Sequence, residues 1–97
     1  MHVIDRRTLI NFYAKHKEAQ GHLETWWHET KREDWSCPED IKGRYRTASF
    51  LAGNRVVFNI GGNRYRLIVK INYPTRTVFI RFVGTHSEYN RINAEDI

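Results

Sequence analysis

One cysteine, two prolines and, beyond residue 40, only three carboxylates are the scarce elements of this 97-residue chain. Cys37 has no second thiol to pair with, so an intramolecular disulfide is excluded and a reduced, cytoplasmic setting is expected. No apolar run approaches the roughly 20 residues that cross a bilayer. The opening "MHVIDRRTLI" also lacks the apolar core of a signal peptide. A soluble intracellular domain without membrane contact is the expectation. A Walker loop, a dinucleotide fingerprint and paired buried carboxylates are not read in the sequence, and no cofactor is expected. His16, His22 and His28 fall six residues apart, whereas two zinc ligands on one helix face stand four apart. With a single cysteine as well, no metal site is expected.

What is present suits one small folded domain across residues 1–97. Three Trp, five Tyr and five Phe supply bulky core material, and 40% apolar residues is too high for a disordered chain. The charge is divided unevenly. Residues 1–40 carry six basic and eight acidic side chains, a net −2, while residues 41–97 carry ten basic and three acidic, a net +7. A cationic half attracts polyanions such as nucleic acid, and it also promotes solubility.

The periodicity changes where the charge does. Asp5 is placed to cap a helix carrying Leu9, Phe12 and Tyr13 on one stripe. A second helical stripe runs Ala19, Leu23, Trp26, Trp27 and Thr30, with Glu18, Glu24, Glu29 and Lys31 off it as solvent-facing charge. Pro38 ends that region, and "PEDIKGRY" reads as a short third helix opened by Pro38 or Asp40 and closed by Gly43. Then come three β-patterned segments, 55–60, 64–73 and 78–84, joined by the turns "GGN" and "PTRT". An antiparallel meander with helices on its apolar face follows, an α+β fold. Trp26, Trp27 and Trp35 are assigned to the core.

Within 64–73, Tyr65, Leu67, Val69, Ile71 and Tyr73 share one face and Arg64, Arg66, Ile68, Lys70 and Asn72 the other. Arg64, Arg66 and Lys70 thus project from one surface. The next segment, "IRFVGTHSEY", begins as core with Ile80, Phe82 and Val83, then brings Arg81, His86 and Tyr89. A cation, an imidazole and a phenol at the end of one strand form a candidate site. Glu88 is a candidate orienter of His86 or Arg81.

"RVVFNIGGNRYRLIVKINY" followed by "FIRFVGTHSEY" resembles the HigB family of type II toxin–antitoxin toxins, within the RelE-like mRNA interferase superfamily. The opening "MHVIDRRTL", the spacing "W...K..DW..P.D.K" over residues 27–42 and the central "NRVVFNIGGN" fit as well, so the resemblance covers nearly the whole chain. It implies N-terminal helices on a small antiparallel sheet, as in RelE and ParE toxins. It also implies an mRNA endoribonuclease that halts translation, in most members on the ribosome. The implied partner is a cognate HigA-like antitoxin with a helix-turn-helix domain, DNA being reached only through that complex. Matched position by position, it assigns catalysis to His86, Tyr89 and Arg81, and RNA phosphate binding to Arg66 and Lys70, with Arg64 beside them on the same strand face.

RNA supplies its own nucleophile, the 2′-hydroxyl. Cleavage by that route needs a base, an acid for the departing 5′-oxygen and positive charge on the phosphorane. An imidazole titrates near neutrality, at about 6.5, which suits His86 to proton exchange. The guanidinium and ammonium groups suit the phosphate, and Tyr89 can stack on a splayed base. Two other functions fit the same architecture: a ParE-like toxin that inhibits DNA gyrase without cutting, and a non-catalytic RNA- or ribosome-binding module. The combination of His86 and Tyr89 with strand cations favours cleavage.

Overall fold

A computed structural model describes residues 1–97. Strand β1 (His2–Ile4) leads into helix α1 (Arg6–Lys15). A 3₁₀ turn, Lys17–Ala19, then runs into α2 (Gln20–Arg32), and α3 (Pro38–Arg44) completes the helical layer. Strands β2 (Ser49–Leu51), β3 (Arg55–Ile60), β4 (Tyr65–Asn72) and β5 (Thr77–Thr85) follow, with a one-turn helix α4 (His86–Tyr89) directly after β5. The α+β expectation holds, and the meander lies within a residue or so of its expected bounds. The sheet is wider than expected, in the order β1-β5-β4-β3-β2, with β1 parallel to β5 and all other pairs antiparallel. Both added strands are three residues long, too short to show a period of two. No helix is long and apolar enough to cross a membrane.

Alternation sorts the strand residues onto two faces. Val56, Phe58, Ile60, Tyr65, Leu67, Val69, Ile71, Val78 and Ile80 face the helices and join Leu9, Ala19, Leu23, Trp26 and Ile41 in one core. Phe58 is its centre: Trp26 meets it edge-on at 5.5 Å, Tyr45 at 5.1 Å, and Trp35 stacks at 6.2 Å. Offset and edge-on aromatic pairs of this kind add to the burial energy. Trp26 and Trp35 are buried as assigned. Trp27 is only half-buried, with the Arg6 guanidinium 4.1 Å and the Lys31 ammonium 4.3 Å from its ring.

Two helix expectations are corrected. Asp5 occupies the N-cap position of α1 but makes no side-chain cap, because its backbone is left-handed (φ 78°). The sharp turn from β1 into α1 demands that conformation, whereas a side-chain cap needs an extended one. Its carbonyl accepts from the Thr8 N–H instead. Glu24 does not face open solvent. Its carboxylate accepts from Arg6 at 2.8 Å and from the Tyr13 hydroxyl at 2.5 Å, which ties α1 to α2 and holds the acid below the usual carboxylate range.

The other face carries the expected cations around a buried apolar centre. Ile68 and Val57 lie opposite one another on it, 0% and 3% exposed, and Phe82 stands beside Ile68 on β5. The chain beyond β5 crosses this face. Tyr89 and Ile92 line a cavity with Leu51 of β2, and Arg55 Nε donates to the Ile97 carbonyl at 2.7 Å. The cations therefore sit at the two ends of an apolar strip.

Truncating Trp26 to Ala removes the ring that α2 packs on Phe58. Chemical denaturation of this variant should show about 3–5 kcal/mol lost, as for large aromatic truncations in closed cores. A loss under roughly 1 kcal/mol would contradict the buried placement.

Candidate functional site

The β4–β5 pairing builds the site. Tyr65 faces Thr85 and Arg66 faces Gly84, so Arg66 stands on the open face opposite a residue with no side chain. A Cβ at Gly84 would lie 2.5 Å from the Phe82 ring and 3.2 Å from Cβ of Glu88. Glycine is needed there because Phe82 folds back over the strand and α4 begins at once. Thr85 caps that turn. Its hydroxyl accepts from the Glu88 N–H at 3.1 Å, and the Glu88 carboxylate accepts from the Thr85 N–H at 2.8 Å. This reciprocal capping box fixes a helix too short to persist unaided. The Thr85 N–H is the main reason the Glu88 carboxyl titrates below its usual range. The sequence made Glu88 a candidate partner for His86 or Arg81; the structure gives it to the cap.

His86 and Tyr89, three apart on α4, lie on one side of that turn. The Nη2 of Arg66 is 2.9 Å from His86 Nδ1, and the Arg66 guanidinium carbon is 5.8 Å from the Tyr89 ring centre. Arg66 is braced from behind, its Nη1 donating to the Asn63 carbonyl at 3.2 Å. A guanidinium only donates, so Nδ1 must be the accepting nitrogen, and the neutral ring carries its hydrogen on Nε2. His86 is exposed, and Arg66 and Tyr89 are half-buried.

The side chains of the other three proposed residues are not in this cluster, although the Arg64 carbonyl accepts from the His86 N–H at 3.1 Å. Arg81 is the residue skipped by the β4–β5 register: Ile80 faces Val69 and Phe82 faces Ile68, so Arg81 is an exposed bulge without a cross-strand partner. Bulges re-aim side chains and recur beside active sites. Lys70 is exposed on the open face between Arg55 and Phe79, four residues and roughly 13 Å along the strand from Arg66. Arg64 precedes β4, in the turn closed by its own N–H to the Gly61 carbonyl. Its charge acts on the Glu18 carboxylate and the Tyr65 hydroxyl, on the helix side, and the structure does not join it to Arg66. No three His, Cys, Asp or Glu side chains converge as metal ligands would. Sequence reasoning missed Gly84 and Thr85. The "T-x-x-E" spacing of a capping box was the available signal for Thr85, whereas nothing local announced the Phe82 ring over Gly84.

Fold and site together define a small α+β domain with a basic, histidine-bearing end. Residues 19–92 match the model of the HigB toxin family, described as the RelE-like toxic component of a toxin–antitoxin system. The chain belongs to that family, and an antitoxin partner comes with membership. Among relatives, it is 26% identical over 94 residues to an mRNA interferase HigB of Escherichia coli O6:H1, covering 95% of this chain and 91% of that protein. It is 25% identical over 96 residues to the mRNA interferase toxin HigB of Escherichia coli K12 and to the mRNA interferase HigB of Shigella flexneri, covering 97% of this chain and 92% of each.

The capping box gives a pH test of the site's scaffold. A depressed carboxyl pKa adds stability above its unfolded value, near 4.5, and that share is lost as pH falls through the lower folded value. Amide exchange at Glu88 should therefore quicken on acidification below about 4.5, relative to amides of β4. Glu88→Gln, which keeps an accepting oxygen, should hold the turn and remove this pH dependence. Equal protection from pH 7 to pH 3 in the wild type would count against the cap.

Proposed function

We propose that this toxin is an mRNA endoribonuclease that inhibits translation, cutting through attack of the 2′-hydroxyl on the adjacent phosphate. The contact between Arg66 and His86 carries the reading. A guanidinium held against an exposed imidazole places phosphate recognition and proton exchange within one hydrogen bond of each other. A phosphate arriving at Arg66 offers it an anionic acceptor in place of Nδ1 and frees the imidazole to take the 2′-hydroxyl proton. Charge added on the phosphorane falls on Arg66. The departing 5′-oxygen is reprotonated from the imidazolium or from Tyr89, whose ring also offers a face for an unstacked base. No step calls for a metal ion. Lys70 and the bulged Arg81 extend the positive surface for neighbouring phosphates.

The relatives' names, which describe mRNA interferases, support the same reading and give the gyrase alternative no footing. As further parts of it, residues 1–97 form a single toxin domain working in the cytoplasm. The antitoxin is a HigA-like helix-turn-helix protein, through which alone the toxin meets DNA. The ribosome presents the mRNA.

In a reconstituted translation reaction, wild-type protein should cut mRNA, His86→Gln should not, and naked RNA alongside should stay whole. Intact mRNA under wild-type toxin that still arrests growth would sink the nuclease reading and favour gyrase inhibition. Separately, Lys70→Ala or Arg81→Ala should weaken RNA binding and lower its dependence on salt by about one phosphate contact. Unchanged slopes for both would remove them from the RNA path.

A further inference from the structure

The open face carries a second feature about 13 Å along β4 from Arg66. Phe79 of β5 is one of three large apolar side chains left exposed, and it stands directly across the ladder from Lys70. Together with Asn54, Asn72 and Pro74 they line a cavity of about 330 Å³ that contains no carboxylate. The Asn54 carbonyl accepts from the Ile71 N–H at 2.9 Å, which holds the turn before β3 over the end of β4. Asn72 Oδ1 accepts from the Thr75 N–H at 3.2 Å, which fixes the amide's orientation and leaves its NH₂ without a protein acceptor. The Lys70 ammonium is in no ion pair.

We propose that Phe79, Lys70 and Asn72 form a subsite for a nucleotide flanking the cleaved one, with the base on the Phe79 ring, Lys70 on its phosphate and the Asn72 NH₂ on its edge. The proposal rests on the endoribonuclease reading and extends it to substrate selection. An aromatic ring beside a cation is the pairing by which single strands are held, since every base has a stacking face and every nucleotide a charge. The donor left for the base edge, the Asn72 NH₂, suits a base that offers acceptors there, guanine's O6 and N7 above all. Ile4, opposite Phe79 on β1, adds apolar surface, but two exposed side chains rimmed by a cation and amides suit a nucleotide better than an apolar protein surface.

The test measures binding apart from cleavage, by fluorescence anisotropy with a short fluorescein-labelled 2′-O-methyl oligoribonucleotide, which has no nucleophile. Phe79→Ala should weaken binding about fivefold or more, the loss of one stacked base, and Phe79→Trp should restore it. Asn72→Asp keeps the acceptor for Thr75 but replaces the donor with a negative charge, and it should weaken binding also. Guanine-containing probes should suffer most. In mapped cuts of natural mRNA, the residual cleavage by Phe79→Ala should lose base preference at a flanking position. Wild-type affinity in folded Phe79→Ala and Asn72→Asp would overturn the subsite. So would a Phe79→Ala protein that loses the antitoxin while holding RNA normally, since the face would then belong to a protein. Probe binding that depends on Phe79, with natural mRNA left intact, would uphold the subsite and defeat the nuclease reading instead.

Discussion

The pairing of β4 with β5 is the constraint on which the rest of the molecule depends. Its register places Leu67, Val69 and Ile71 beneath the helices and Arg66, Ile68 and Lys70 on the opposite face. It also puts Arg66 across from Gly84, where the missing side chain admits both the folded-back Phe82 ring and the start of α4. Because side chains alternate with a period of two, a one-residue slip would send Arg66 into the core and Leu67 into solvent. The skip at Arg81 is the one irregularity. Without it, Ile80 and Phe82 would share a face; with it, Ile80 enters the core and Phe82 leaves it.

Much of this was legible from local pattern. The aromatic-rich stripe of α2, the Pro38 break and the three long strands are strong periodic signals, and they fall where expected. His86 and Tyr89 were legible through the resemblance carried by "GTHSEY". What was not legible depended on residues distant in sequence. Alternation alone cannot show that Ile68 and Val57 are buried on the face away from the helices, nor that Arg81 falls in a bulge. The departure of Arg64 from its expected companions has the same origin. It precedes the first paired residue of β4, where the turn rather than the pleat decides its direction.

The two faces of the sheet divide the work by polarity. The helix side is closed, centred on Phe58 and latched by Glu24 through Arg6 and Tyr13. The open side keeps only an apolar strip under the chain end, with cationic groups toward both extremities. The net +7 of residues 41–97 attracts polyanions toward a sheet whose closed core lies on its helix-covered face. Arg66 links turn and site: its Nη1 is braced on the Asn63 carbonyl of the turn, and its Nη2 reaches the His86 imidazole.

The parallel union of β1 with β5 has a consequence in time rather than in space. His2 to Ile4 leave the ribosome well before Thr77 to Phe79, the residues they pair with. An edge strand whose partner does not yet exist stays unpaired until β5 has been made, and such long-range closure slows folding. Arg66, His86 and Tyr89 likewise come together only after β5 and the turn beyond it have been made. A still-growing chain therefore carries its basic segment before it carries the arrangement of side chains that the finished sheet imposes.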